Sequence, residues 1–266
     1  MKKKQIYLAQ PWGGLGDQLA YSNLPRLYYE EGYEFNLSFL NYSRNNEITD
    51  IVWKNNKFVK NTNVLKIPNA GYMMFNKKTI DSTNLNSIQT INVLHGFHPG
   101  DGFPEIYLRN FKKTNRLIYK NICDLNSITI SKHLERMYDP KSIEELMNYL
   151  SVSKFQFLTF PNIYKERYNQ LKIIEINNLQ KLINILLKTE NFHCLNSGSH
   201  SLAAALKKQF GIPKNIICYN PDYLNTPNQG YWYSNVEYKP LATVENVNKK
   251  VSLKSRNYQK ILNFLS

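Results

Sequence analysis

The chain has 266 residues, 42% of them hydrophobic, with 19 Tyr and 13 Phe; a sizeable core is within reach and a wholly disordered chain is excluded. Lys and Arg number 34 against 20 Asp and Glu, a net charge of +14. That field suits RNA, DNA, an anionic lipid face or a phosphorylated substrate, but the lysines are scattered and follow no helix face, so nucleic acid is not an expected partner.

The elements are predicted in chain order from apolar spacing and punctuation. Residues 5 to 9 (QIYLA) read as a short strand. Pro11-Trp12-Gly13-Gly14-Leu15-Gly16-Asp17 follows, then a helical stretch to about Glu31 in which Leu24, Leu27 and Tyr28 share a face. Pro25 suits a first turn after Ser22 or Asn23, or kinks a helix begun near Gln18. Gly32 is a helix stop and Glu34 to Leu40 a second strand. Strand, glycine loop, helix, strand is the opening of a parallel α/β unit.

Residues 42 to 89 are Asn-rich and poorly periodic, with a short strand expected at Val64 to Ile67. Ile91 to Leu94 reads as a strand delivering His95-Gly96-Phe97-His98-Pro99-Gly100-Asp101 to a loop. Residues 139 to 149 read as a helix and Phe155 to Phe160 as a strand. Asn177 or Asn178 caps a helix with the stripe Leu179, Leu182, Ile183, Leu186. Phe192 to Leu195 is a strand, Asn196 to His200 a turn, Ser201 to Phe210 a helix stopped by Gly211, and Ile216 to Tyr219 a strand. A last helix is expected at Tyr258 to Phe264. Two domains follow, 1–130 and 131–266.

Cys123, Cys194 and Cys218 are widely spaced among hydrophobic residues, which reads as buried free thiols. The five histidines have no zinc-site spacing. No run of about eighteen apolar residues occurs, and residues 5–9 are too short for a signal-peptide core, so a cytoplasmic protein is expected.

Two loops carry chemistry. Gly13, Gly14 and Gly16 allow close backbone approach to a ligand, although their spacing is neither the dinucleotide fingerprint nor a P-loop. Asp17 either caps the helix or serves as a general base toward a hydroxyl. In the second loop Gly198 permits the turn, and Ser197 and Ser199 can bond a phosphate alongside helix amides. His200 is a structural cap or a diphosphate ligand. His95, His98 and Asp101 form either a surface turn or a set of acceptor-side contacts.

Gly13-Gly14-Leu15-Gly16-Asp17-Gln18-Leu19 followed by Pro25 resembles the amino-terminal motif of bacterial heptosyltransferase-like glycosyltransferases. Asn196-Ser197-Gly198 followed by Leu202-Ala203-Ala204-Ala205 resembles their second motif, with Asn196 in place of Asp. The opening turn also resembles, more weakly, that of inverting fucosyltransferases. The resemblance implies a GT-B fold, two Rossmann-like domains with an interdomain cleft, the first on the acceptor side and the second binding the nucleotide-sugar. It implies Asp17 as catalytic base, and diphosphate contacts at Ser197, Gly198 and Ser199. It further implies inverting transfer, without metal or cofactor, from a nucleotide-diphosphate sugar to a hydroxyl of a glycan or lipid-linked acceptor. Peripheral association with the inner membrane face follows from such acceptors and the positive charge. The competing class is a non-catalytic nucleotide- or glycan-binding protein on a decayed transferase fold.

Overall fold

The computed structural model describes residues 3–71, 84–109, 117–125, 138–159, 171–221 and 230–242. The described residues divide into two compact units, one before Phe111 and one after Lys112, each with its own parallel sheet.

In the first unit, β1 (Gln5–Ala9) pairs in parallel with β2 (Glu34–Ser38) on one side and with β4 (Ala70–Gly71) on the other; β3 (Val59–Val64) pairs outside β2. The order is β3-β2-β1-β4. Two short helices, α1 (Leu15–Leu19) and α2 (Leu24–Glu30), link β1 to β2. Pro25 stands in the first turn of α2, after the N-cap Asn23, so the first of the two readings for it holds. α3 (Asn46–Thr49) runs into a π-helical turn at Asp50–Lys54. Its Trp53 is fully buried and stacks with Phe35 of β2, beside a core of Leu8, Leu19, Leu24 and Val52. Gly71 sits opposite Ala9 at φ +134, and a Cβ there would fall on the Ala9 carbonyl.

The strand expected at 91–94 is instead the end of helix α4 (Ser87–Leu94). A run of four apolar residues is ambiguous by itself. The deciding signal lies upstream, where Asn86 accepts from Gln89 N and the Gln89 side chain accepts from Asn86 N, a complete capping box. Ile88, Ile91 and Asn92 form its buried face.

In the second unit six strands lie in the order β10-β9-β8-β5-β6-β7. They are β5 (Tyr119–Asp124), β6 (Gln156–Thr159), β7 (Ile173–Glu175), β8 (Thr189–Leu195), β9 (Asn215–Pro221) and β10 (Glu237–Leu241), all paired in parallel. A division at 130 would leave β5 with the first domain, yet its ladders run to β6 and β8. Helix α5 (Pro140–Val152), capped by Asp139, places Ile143, Leu146 and Leu150 against Cys123, Phe157, Leu195 and Tyr219. The alternate residues Ile122, Phe192, Cys194, Ile216 and Cys218 are buried as well, so both faces of this sheet are covered.

Helices α6 (Leu179–Leu186), capped by Asn178, and α7 (Gly198–Phe210) pack against β8. Gly211, at φ +75, ends α7 in the left-handed conformation that favours glycine. All three cysteines are buried thiols. The helix expected at 258–264 lies outside the described residues. No helix among the described residues is long and apolar enough to cross a membrane.

Candidate functional site

Each motif loop leaves its sheet at the point where the strand order reverses. In the first unit the chain steps β1, β2, β3 to one side, and β4 lies on the other side of β1. Connections therefore depart in opposite directions beside the carboxyl end of β1, where α/β sheets open a binding crevice. Residues 10 to 14 emerge there. In the second unit β6 and β7 lie to one side of β5, and β8, β9 and β10 to the other. The reversal falls between β5 and β8, and Asn196 to Ser199 leave the carboxyl end of β8.

The first loop is built on close approach. Gly13 is buried, its carbonyl accepts from Arg44 N at 2.9 Å, and a Cβ on it would lie 2.6 Å from both Arg44 N and Tyr42 Cε1. Its missing side chain thus makes room for residues 42–44, an internal reason for glycine that the spacing did not reveal. At Gly14 a Cβ would lie 2.7 Å from Asp17 Oδ2 and 3.8 Å from Arg44 Nη2, so the missing side chain leaves room for the carboxylate. Asp17 is not the cap of α1; Gly14 holds that position. Asp17 is half-buried, and its charge adds to burial in pushing up the ionisation of Tyr21. With five residues, α1 contributes little helix field of its own.

Next to Asp17, Gln18 is fully buried and fully bonded. Its Nε2 donates to the Trp12 carbonyl at 2.8 Å and the Tyr42 carbonyl at 2.7 Å. Its Oε1 accepts from Trp53 Nε1 and from Asn41 Nδ2.

The second loop opens α7, a helix of 13 residues that begins at Gly198, earlier than the expected Ser201. Ser197 occupies the N-cap position without making a side-chain cap; its hydroxyl lies 2.9 Å from Ser199 Oγ. Among the described residues no side chain caps the first amides of the helix, and the positive end of a long helix lies at the switch point. Ser197 and Gly198 are half-buried and Ser199 is buried.

His200 does not fit a charged diphosphate ligand. It is 0% exposed, its Nε2 bonds Tyr238 Oη at 2.8 Å, and burial lowers its pKa to about 3. A neutral imidazole inside the protein holds α7 to the 231–238 segment, where Tyr238 also donates to the Tyr231 carbonyl and stacks on Trp232. His200 is not a cap either, since Ser197 holds the N-cap position; it is a buried packing residue within α7.

His95, His98 and Asp101 do not gather into a site. They follow a helix rather than a strand end. His95 Nδ1 lies 2.7 Å from Tyr28 Oη in an aromatic cluster, and burial lowers its pKa to about 3. His98 Nδ1 accepts from Gly100 N and Asp101 Oδ1 from Phe103 N, both shaping the turn. Two buried asparagines pin this turn to α4: Asn92 donates to the Pro99 carbonyl and Asn86 to that of Gly102. The surface-turn reading accounts for His98 and Asp101, whereas His95 ends α4 and packs against Tyr28.

Sequence reasoning missed Gln18, Arg44 and Asp124. Asp124 is a buried carboxylate at the carboxyl end of β5, level with Cys194 at the second switch point. No local pattern marks any of them, since each draws its meaning from strand order or from partners far along the chain.

Two parallel-sheet units with these switch-point loops define a GT-B-like fold. No family model and no curated protein matches the chain, but solved structures do. One is TibC, a dodecameric iron-containing heptosyltransferase in complex with ADP-D-beta-D-heptose, with TM-score 0.60 and 15% identity over 90% of this chain and 64% of that one. Another is TibC, the iron-containing dodecameric glycosyltransferase from enterotoxigenic E. coli H10407, with TM-score 0.62 and 13% identity over 100% of this chain and 77% of that one. A third is the glycosyl transferase family 9 protein of Veillonella parvula DSM 2008, with TM-score 0.57 and 10% identity over 98% and 95%. The chain thus spans under two thirds of the ADP-heptose-bound TibC chain, and at these identities the likeness is one of fold.

The expectation of transfer without metal or cofactor is overturned here, because two of these structures are iron-containing. Likeness to this group carries no absence of metal. Among the described residues no three His, Cys, Asp or Glu side chains converge to hold an ion. The described residues therefore do not fit such a centre, and none of the chemistry below passes through one.

Proposed function

We propose that the protein is a glycosyltransferase that moves a sugar from a nucleotide-diphosphate donor to a hydroxyl of a glycan or lipid-linked acceptor. The observation that carries this reading is the placement of both motif loops at the switch points of their own sheets, in a chain of GT-B-like fold. The second unit binds the donor, its diphosphate meeting the amides of Gly198 and Ser199 and the hydroxyl of Ser197. Helix amides suit that task because fixed dipoles stabilise leaving-group charge without reorganising. In the first unit Asp17 takes the acceptor proton as the hydroxyl attacks the anomeric carbon. A carboxylate of ordinary basicity can do this when the hydroxyl loses its proton in concert with attack. Gly14 and Gly16 keep the turn beside Asp17 slim enough for an acceptor to approach. The reaction belongs at the cytoplasmic face of a membrane, where lipid-linked acceptors lie.

ADP-heptose is the first donor to test, followed by other nucleotide sugars. With a donor that supports transfer, Asp17→Asn should cut kcat by a factor of about 100 or more while donor binding by calorimetry stays unchanged. Normal turnover in that variant removes Asp17 from the chemistry. Donor binding without transfer to any acceptor would favour the non-catalytic alternative.

A further inference from the structure

Resting on that reading, the geometry points to Gln18 as the positioning residue that holds Asp17 in place. Asp17 lies in a helix of five residues that follows a glycine-rich turn. Such a segment has little stiffness of its own: glycines give the backbone freedom, and so short a helix is not self-supporting. Something outside it must fix the carboxylate.

The four hydrogen bonds of Gln18 supply that constraint. Its amide nitrogen holds the Trp12 carbonyl before the glycines and the Tyr42 carbonyl of the loop after β2. Its amide oxygen takes the indole N–H of Trp53, itself fully buried in the π-helical turn. The same oxygen takes Asn41 Nδ2, and Asn41 Oδ1 in turn accepts from Gln10 N at the end of β1.

One side chain thus ties the carboxyl ends of two neighbouring strands, the glycine turn and a core tryptophan. Every donor and acceptor of the amide is used, the arrangement in which a buried polar group specifies a single geometry. The tie also fixes the backbone of residues 42–44 that packs on Gly13. A carboxylate at Gln18 could not donate to two carbonyls, and an apolar side chain of the same length would remove both of these hydrogen bonds.

The test uses the full chain with Gln18→Met, and with Trp53→Phe as a milder variant that keeps an aromatic ring while removing one donor to the amide. Two readouts are taken. One is transfer kinetics with whichever donor supports wild-type turnover; the other is amide hydrogen exchange. The expected result for Gln18→Met is a loss of about 100-fold in kcat, the scale of a misplacement near 1 Å, with donor KM within about twofold. Exchange should accelerate at residues 12–17 and 41–45 and stay unchanged at 198–210. Trp53→Phe should fall between this variant and wild type on both readouts.

Wild-type kcat in Gln18→Met overturns the positioning role even if exchange accelerates. So does acceleration spread evenly over the first sheet in both variants, since that marks general loosening. If wild type turns over no donor, the proposed function fails; if Asp17→Asn remains fully active, the function stands and the base role of Asp17 fails. The exchange readout then decides the clamp alone: local loss of protection upholds it, and unchanged protection overturns it.

Discussion

The burial of His200 makes a quantitative prediction about acid stability. The imidazole has no solvent exposure and its pKa is lowered to about 3, from an ordinary value of 6.5, because burial penalises the charged form. In the unfolded chain the same group titrates near 6.5. Between these values the unfolded state binds the extra proton, so stability is complete above pH 6.5 and falls as pH drops toward 3. Between pH 7 and pH 5 this one residue costs the second unit about 2 kcal/mol. The figure barely depends on the folded pKa, provided that it lies near 4 or below. His193, also buried and lowered to about 4, adds a similar loss of the same sign.

His200→Gln replaces the titrating ring while keeping an amide nitrogen to meet Tyr238 Oη. Urea unfolding at pH 7 and pH 5, followed by Trp fluorescence, should show wild type losing about 2 kcal/mol more than the variant over that interval. A variant with the same pH 7 to pH 5 loss as wild type would refute the reasoning. So would an NMR titration in which the His200 ring of the native protein gains a proton above pH 5.

Gly198→Val places a branched side chain at the opening turn of α7 and should weaken ADP binding by about tenfold, or 1.4 kcal/mol, in calorimetry. Unchanged affinity would move the diphosphate away from these amides. Gly71→Ala drives a Cβ toward the Ala9 carbonyl at a φ of +134 and should destabilise the first unit by about 2 kcal/mol or more. An unaltered urea midpoint would show that β4 adjusts without strain.

Much of the second unit is legible in the chain because its signals are local. The stripe from Leu179 to Leu186 with Asn178 before it, and the stop at Gly211, each act within a turn or two of backbone. The glycine turn after β1 is legible for the same reason. Where local signals compete, reading by apolar runs fails: Ile91 to Leu94 suits a strand, and the capping box of Asn86 and Gln89 makes it a helix.

The roles of individual polar residues are not local properties. His200 and His95 are neutral because of what encloses them, and neither fate is written in their neighbours along the chain. Gln18 draws its partners from positions 12, 41, 42 and 53. The sequence by itself determined the elements whose stripes, caps and stops are local, such as β1, α6 and α7, since those follow from backbone freedom and apolar period. Only the tertiary structure decided that β4 lies across β1 from β2, and β8 across β5 from β6. Strand order is set by contacts between distant residues, and it is strand order that brings the two small-residue loops to the switch points of their sheets.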